Sequence, residues 1–162
     1  MTVSVGDKMP GANPLTIGPE GPTSIDLAER VKGKKVVIFG LPGPFTRTCS
    51  AAHLPSFVRN MDGLKAKGVD EVMCLAVADP FVMQAWGEQA GAIDAGITML
   101  ADWDSSFTKA MGRAFDAPPV GFIQRSTRYS MIVEDGVITA INEESSPGEC
   151  DISAAETLID AM

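Results

Sequence analysis

The sequence predicts an α/β fold in which a mixed β-sheet is flanked by helices. Three observations carry that prediction. Apolar, β-branched runs alternate with helical periodicities through the first two thirds of the chain, two later apolar runs flank an Asp-Gly pair, and the last residues carry one helical apolar face. Strands separated by helices pair in parallel through right-handed crossovers, whereas Asp-Gly between apolar runs marks an antiparallel hairpin. The 162 residues have the length of one domain without internal repeat or long linker, and 45% hydrophobic content is enough for a core.

The opening, Met1 to Glu29, is loop-rich (Pro10, Gly11, Pro14, Gly18, Pro19, Gly21, Pro22), with a short extended piece at Thr2 to Val5. Lys34 to Gly40 is a β-branched apolar run that reads as a buried strand, broken by Leu41-Pro42-Gly43-Pro44. From Thr48 to about Lys67, residues Leu54, Phe57, Val58, Met61 and Leu64 recur at three- and four-residue steps, which predicts a helix capped by Gly68. Glu71 to Ala78 is a second buried strand. Asp79 then caps a helix with Pro80 in its first turn and Phe81, Val82, Ala85 and Trp86 facing inward. Ile97 to Ala101 is a third strand and Ser105 to Arg113 a short helix. Tyr129 to Glu134 and Val137 to Ile141 form a hairpin about Asp135-Gly136. Asp151 to Ala161 places Ile152, Ala155, Leu158 and Ile159 on one helical face, with Asp151 or Ser153 as cap. A parallel half closed by an antiparallel hairpin and a helix is the order of a single thioredoxin-like domain, here spanning residues 1–162.

Charge and cysteine usage narrow the function. A formal net charge of -8 argues against a nucleic-acid binder, which needs a concentrated Lys/Arg face. Met1 to Pro10 holds one lysine and no apolar stretch of signal-peptide length. No stretch reaches the roughly 18 to 20 apolar residues of a membrane span. The expected location is therefore the cytoplasm. Three widely spaced cysteines, Cys49, Cys74 and Cys150, make a poor disulfide framework and suit reactive or buried thiols. One histidine, His53, and the absence of C-x-x-C argue against a structural zinc site.

Cys49 falls where a strand has ended and a helix begins, so its sulfur lies near unsatisfied backbone N–H groups that favour the thiolate, the nucleophilic form. On position alone, a cysteine in a first helical turn is more often a buried filler. Its surroundings change that reading. Pro42-Gly43-Pro44-Phe45-Thr46-Arg47-Thr48-Cys49 resembles the peroxiredoxin active-site loop, P-x-x-x-T-x-x-C, and Ser50 to Pro55 continues in the manner of the type-5 (type II) class. Asp70 to Val72, Asp79 to Met83 with Ala85-Trp86, and Arg125 to Met131 followed by Val133 to Gly136 are similar to that class as well, in order, over nearly the whole chain.

The resemblance implies a thiol-dependent peroxidase acting on hydrogen peroxide and alkyl hydroperoxides. Cys49 would be the peroxidatic residue that becomes a sulfenic acid. Thr46 would hydrogen-bond thiolate and peroxide, Arg128 would hold the thiolate and polarise the O–O bond, and Pro42 would shield the sulfur from water. Read alone, Thr46 is equally a turn hydroxyl, Arg128 an exposed strand charge and Pro42 a turn former. His53, four residues past Cys49, would line the pocket; a Cys-His hydrolase pair lacks a third group to orient it. The class carries alanine where this chain has Pro44 and proline where it has Arg47, which relocates loop rigidity. Arg47 also brings a cation two residues from Cys49, able to favour the thiolate or to attract an anionic reductant such as glutathione.

For recycling, the resemblance offers Cys150, before the last helix, or Cys74, in the second buried strand, as resolving cysteine. A buried filler is the competing reading for Cys74. Otherwise glutathione, glutaredoxin or thioredoxin would reduce the sulfenic acid. The resemblance further implies a homodimer, with Leu41, Pro44, Phe45 and Phe81 at the contact, and no metal or organic cofactor, because sulfur carries the electrons. A general thiol-disulfide oxidoreductase and a non-catalytic redox sensor or binding module on the same fold are the competing functions.

Overall fold

A computed structural model describes residues 2–162; Met1, at the head of the loop-rich opening, lies outside them. The chain enters with β1 (Leu15–Gly18) and β2 (Gly21–Ser24), a hairpin, and the one-turn α1 (Leu27–Arg30). The central strand β3 (Lys35–Gly40) leads to a π-helical turn (Cys49–His53), continued by α2 (Leu54–Arg59) and α3 (Met61–Ala66). Then come β4 (Glu71–Ala76), α4 (Pro80–Gln89), β5 (Thr98–Ala101) and α5 (Ser106–Ala110). A ribbon of β6 (Ala114–Ala117) and β7 (Phe122–Ser126) precedes β8 (Tyr129–Glu134), β9 (Val137–Glu143) and α6 (Ala155–Asp160).

Seven strands make one mixed sheet in the order β2-β1-β5-β4-β3-β8-β9. Its centre, β5-β4-β3, is parallel, and β8 joins β3 antiparallel, as expected from the alternation and the hairpin. The Asp135-Gly136 turn has both residues at positive φ, 48° and 80°, the twist that a two-residue hairpin needs. Alternate side chains of β3 and β4 feed two cores. Val37, Phe39, Val72 and Cys74 pack under Leu54, Phe57, Leu64 and Trp86 on one face, while Val36, Ile38, Met73 and Leu75 meet Leu27, Phe107 and Met111 on the other. Burial on both faces is why these strands read as continuous apolar runs.

Several elements depart from expectation. The hairpin β1–β2 arises inside the loop-rich opening because β2 is an edge strand, where Pro22 takes no ladder bond away from a partner. The long helix breaks at Asn60, whose Nδ2 donates to the Ser56 carbonyl at 2.7 Å and competes with the backbone ladder. In α4, Asp79 caps as expected, accepting from the Val82 N–H at 2.9 Å. Its buried stripe is Met83, Trp86 and Gly87, however, so Phe81, at 65% exposure, Val82 and Ala85 face outward. The last helix begins only at Ala155, because the amides of Asp151, Ile152 and Ser153 are bound instead by the Glu144 carboxylate, at 2.8, 3.3 and 2.9 Å. Ile152 is thereby exposed.

Candidate active site

The end of β3 delivers the chain to a short loop whose shape is held by two bonds. The Thr46 hydroxyl donates to the Gly43 carbonyl at 2.8 Å, and Arg125 Nη1 donates to the Pro42 carbonyl at 3.1 Å. A Cβ on Gly43 would lie 2.5 Å from Arg125 Nη1, so a larger residue there would push the guanidinium off the Pro42 carbonyl. Phe45 stands in the left-handed region with φ 62°, a conformation disfavoured for a large side chain, and projects into solvent with 52% exposure. The Ser50 N–H then closes on the Thr46 carbonyl at 2.9 Å and the helix starts.

Cys49 opens the π turn, its carbonyl accepting from the N–H of Leu54 five residues on. Such wide turns are rare and recur at functional sites. Trp86 of α4 docks this turn through Nε1, which donates to Ser50 Oγ at 3.0 Å. The Cys49 side chain is fully buried.

Arg128, in the two-residue link between β7 and β8, reaches the sulfur: Nη2 donates to Cys49 Sγ at 3.2 Å. Arg128 is 2% exposed, and its guanidinium is aimed by two further groups. Nε and Nη2 donate to the Pro147 carbonyl at 3.2 and 2.9 Å, and Nη1 meets His53 Nδ1 at 3.0 Å. No carboxylate pairs with Arg128 among the described residues. A buried cation without a counter-ion is costly, and the ionisable side chains that Arg128 touches among the described residues are His53 and Cys49.

His53 cannot be the base for the Cys49 thiol. Arginine only donates, so Nδ1 is the acceptor and the ring proton sits on Nε2, which faces the Ser153 carbonyl at 3.2 Å. Burial, and then the charge of Arg128, push its pKa down to about 3, which keeps the ring neutral. The ring packs against Phe39 and Phe57, with centroids 5.1 and 5.8 Å away.

Of the sequence-derived candidates, Cys49, Arg128 and His53 converge. Pro42 is buried in the loop above them, and the Thr46 hydroxyl spends its proton on Gly43, leaving lone pairs to accept a bond. Arg47 is exposed and Pro44 half-buried. Leu41 is fully buried in the core, which removes it from the contact expected between subunits. Cys74 lies at the centre of β4, fully buried; burial first, and then the neighbouring Cys49, push its thiol well up. Cys150 is half-buried, with its thiol also raised by burial. All three cysteines are free thiols.

Sequence reasoning missed the strap that closes the site. Pro147 anchors Arg128, the Gly148 carbonyl accepts from Thr48 Oγ1 at 2.9 Å, and Ser153 holds His53. Burial opposes the charge of Glu144, yet hydrogen bonds from Ser153, Asp151 and Ile152 outweigh it and hold the carboxyl below its ordinary value. These are mostly backbone groups, which leave no mark in side-chain identity. Arg125 stood in the quoted motif without a role. Beyond the sulfur, Pro42, Phe45, Thr46 and Arg128 line a cavity of about 910 Å³, walled further by Phe115, Val120 and Phe122.

The family described as Redoxin matches residues 4–159. A chloroplastic peroxiredoxin-2E-2 of Oryza sativa subsp. japonica is 40% identical over 99% of this chain and 73% of its own. A mitochondrial peroxiredoxin-2F of the same plant is 47% identical over 84% of this chain and 68% of its own. Among solved structures, reduced Prx3 of Vibrio vulnificus in complex with hydrogen peroxide superposes with a TM-score of 0.93 at 44% identity, covering 99% of each chain. The two plant proteins are organellar by name, which overturns the expected cytoplasmic location. Targeting addresses are read by receptors and need leave no trace in the composition of a folded enzyme. Among the described residues no helix is long and apolar enough to cross a membrane. With the thioredoxin-like sheet and the buried thiol beneath its arginine, these matches settle the family: the chain belongs to the redoxins and is a peroxiredoxin, a thiol-dependent peroxidase.

Proposed function

We propose that Cys49 is the peroxidatic residue of this enzyme, served by Arg128, Thr46 and Pro42. The observation that carries the reading is the 3.2 Å contact between Cys49 Sγ and a buried guanidinium that has no carboxylate partner. In the reaction the thiolate attacks the terminal peroxide oxygen. An S–O bond forms as the O–O bond breaks, sulfur is oxidised to a sulfenic acid, and the departing oxygen takes a proton to leave as water or an alcohol. Arg128 stays close to the charge throughout, because the negative charge moves only from sulfur to the adjacent leaving oxygen. Thr46 Oγ1 accepts from the peroxide O–H, and Pro42 keeps bulk water off the sulfur. Hydrogen peroxide and alkyl hydroperoxides both fit a cavity that ends on these groups.

Recycling requires a second thiol. Cys150 is the better internal candidate, since it is partly accessible and precedes a loop-held helix start, whereas Cys74 would have to leave the centre of the sheet. Its attack needs the π turn and the strap at Pro147 and Gly148 to open. Without it, glutathione, glutaredoxin or thioredoxin attacks the sulfenic acid directly. A homodimer belongs to the same reading, with exposed Phe45 and Phe81 beside half-buried Pro44 at the contact.

The test is intact mass of the reduced protein before and after one equivalent of hydrogen peroxide, followed by non-reducing peptide mapping. A Cys49–Cys150 link, lost in Cys150→Ser, is the expected product. Oxygen on Cys49 alone assigns reduction to an external thiol, and an untouched Cys49 in a protein that still turns over peroxide sinks the assignment.

A further inference from the structure

Resting on that reading of the site, we infer that Glu144 is a positioning residue for the peroxide step, fixing Arg128 over Cys49 from both ends. Glu144 is the first residue past β9, and its N–H donates to the Arg128 carbonyl at 2.9 Å, which sets where the arginine leaves the backbone. Its carboxylate acts on the other end by gripping Ser153, nine residues on. Oε2 accepts from the Asp151 N–H at 2.8 Å, the Ser153 N–H at 2.9 Å and the Ser153 hydroxyl at 2.7 Å, while Oε1 accepts from the Ile152 N–H at 3.3 Å.

The segment closed in this way carries both groups that aim the guanidinium. The Pro147 carbonyl, within it, accepts from Arg128 Nε and Nη2, and the Ser153 carbonyl, at its end, faces His53 Nε2 at 3.2 Å. Ser153 is fully buried and each of its polar groups is engaged, the N–H and hydroxyl on Glu144 and the carbonyl on His53. An unbroken chain of contacts therefore runs from Glu144 through Ser153, His53 and Arg128 to the sulfur, with links of 2.7, 3.2, 3.0 and 3.2 Å. The carboxylate has no Lys or Arg partner among the described residues, so its charge is spent on these donors. Bonds to an ionised acceptor are roughly twice as strong as neutral ones, and a carboxylate meets several donors without presenting one of its own. Support of the last helix start accounts for the amide bonds by themselves, and it predicts lost stability with an unchanged rate per folded molecule. Aiming Arg128 predicts instead a lost rate that depends on Arg128 being there.

The experiment is a double-mutant cycle on the single-turnover rate constant for hydrogen peroxide, measured per folded molecule in wild type, E144Q, R128Q and E144Q/R128Q, with urea midpoints alongside. E144Q keeps the size of the side chain but turns amide N–H groups toward the donors of Ser153 or Ile152. The expected loss is about tenfold with Arg128 in place, part of the roughly 100-fold that a 1 Å misplacement can cost, and less than about twofold once Arg128 is gone. If E144Q does not fold, E144D, whose carboxylate is withdrawn by one methylene, takes its place in the cycle with an expected loss of about threefold. A folded variant within about twofold of wild type, or one that loses the same factor in both backgrounds, overturns the inference. A normal rate in R128Q would instead sink the reading of the site on which the inference rests.

Discussion

Replacing Arg128 by glutamine tests the electrostatic core of the site. The substitution removes the cation that touches Cys49 Sγ at 3.2 Å. With charge centres about 4 Å apart and an effective dielectric near 20, the thiolate–guanidinium attraction is roughly 4 kcal/mol. Part of it persists only in the transition state, where sulfur and leaving oxygen share the charge. Loss of one preorganised donor from such a site ordinarily lowers the rate by about 100- to 1,000-fold. The expected result for R128Q is therefore a drop of that size in the second-order rate constant for hydrogen peroxide, measured by single-turnover consumption with the reduced enzyme. R128K keeps the charge but not the planar fork that reaches Pro147, His53 and Cys49 together, and is expected to remain at least about tenfold below wild type. In R128Q the Pro147 carbonyl loses its charged donor, at a cost of about 1–3 kcal/mol, so rates are compared per folded molecule with urea midpoints measured alongside. A folded R128Q within threefold of wild type would refute the argument.

The loop offers a second test: in Gly43→Ala the added Cβ meets Arg125 Nη1, so the bond to the Pro42 carbonyl breaks. The expected loss in kcat/KM is about three- to tenfold, and adding R125Q to G43A should change little, because the two act on one contact; additive losses would count against the latch. His53 makes a pH prediction. Its folded pKa, about 3, lies below the ordinary 6.5, so between these values the unfolded chain binds a proton that the folded one refuses. This contribution to stability is fully present above pH 6.5 and is lost as the pH falls, amounting to about 2 kcal/mol between pH 7 and 5. Urea midpoints at the two pH values should show His53→Gln losing correspondingly less than wild type, and identical losses would contradict the assignment of a buried neutral ring.

The sequence by itself determined the order of the central elements and marked out the candidate site residues. The β3, β4 and β5 runs are buried on both faces and therefore apolar throughout, the turn at Asp135-Gly136 needs positive φ, and the stripe of Leu54, Phe57, Met61 and Leu64 faces a core. Such demands act on residue type and so leave a readable pattern. Cys49, Thr46 and Arg128 were legible as candidates for a different reason, as members of one motif set. Tertiary structure alone decided what aims them. Arg128 is directed by the Pro147 carbonyl, His53 by Ser153, and the strap by the Glu144 carboxylate gathering three amides. Backbone carbonyls and amides are common to every residue, so their use depends on which segments the fold brings together. The same holds for the faces of α4 and α6: periodicity limits where an apolar stripe can lie, but packing against β5 exposed Phe81 and Val82, and Glu144 unwound the turn that would have buried Ile152.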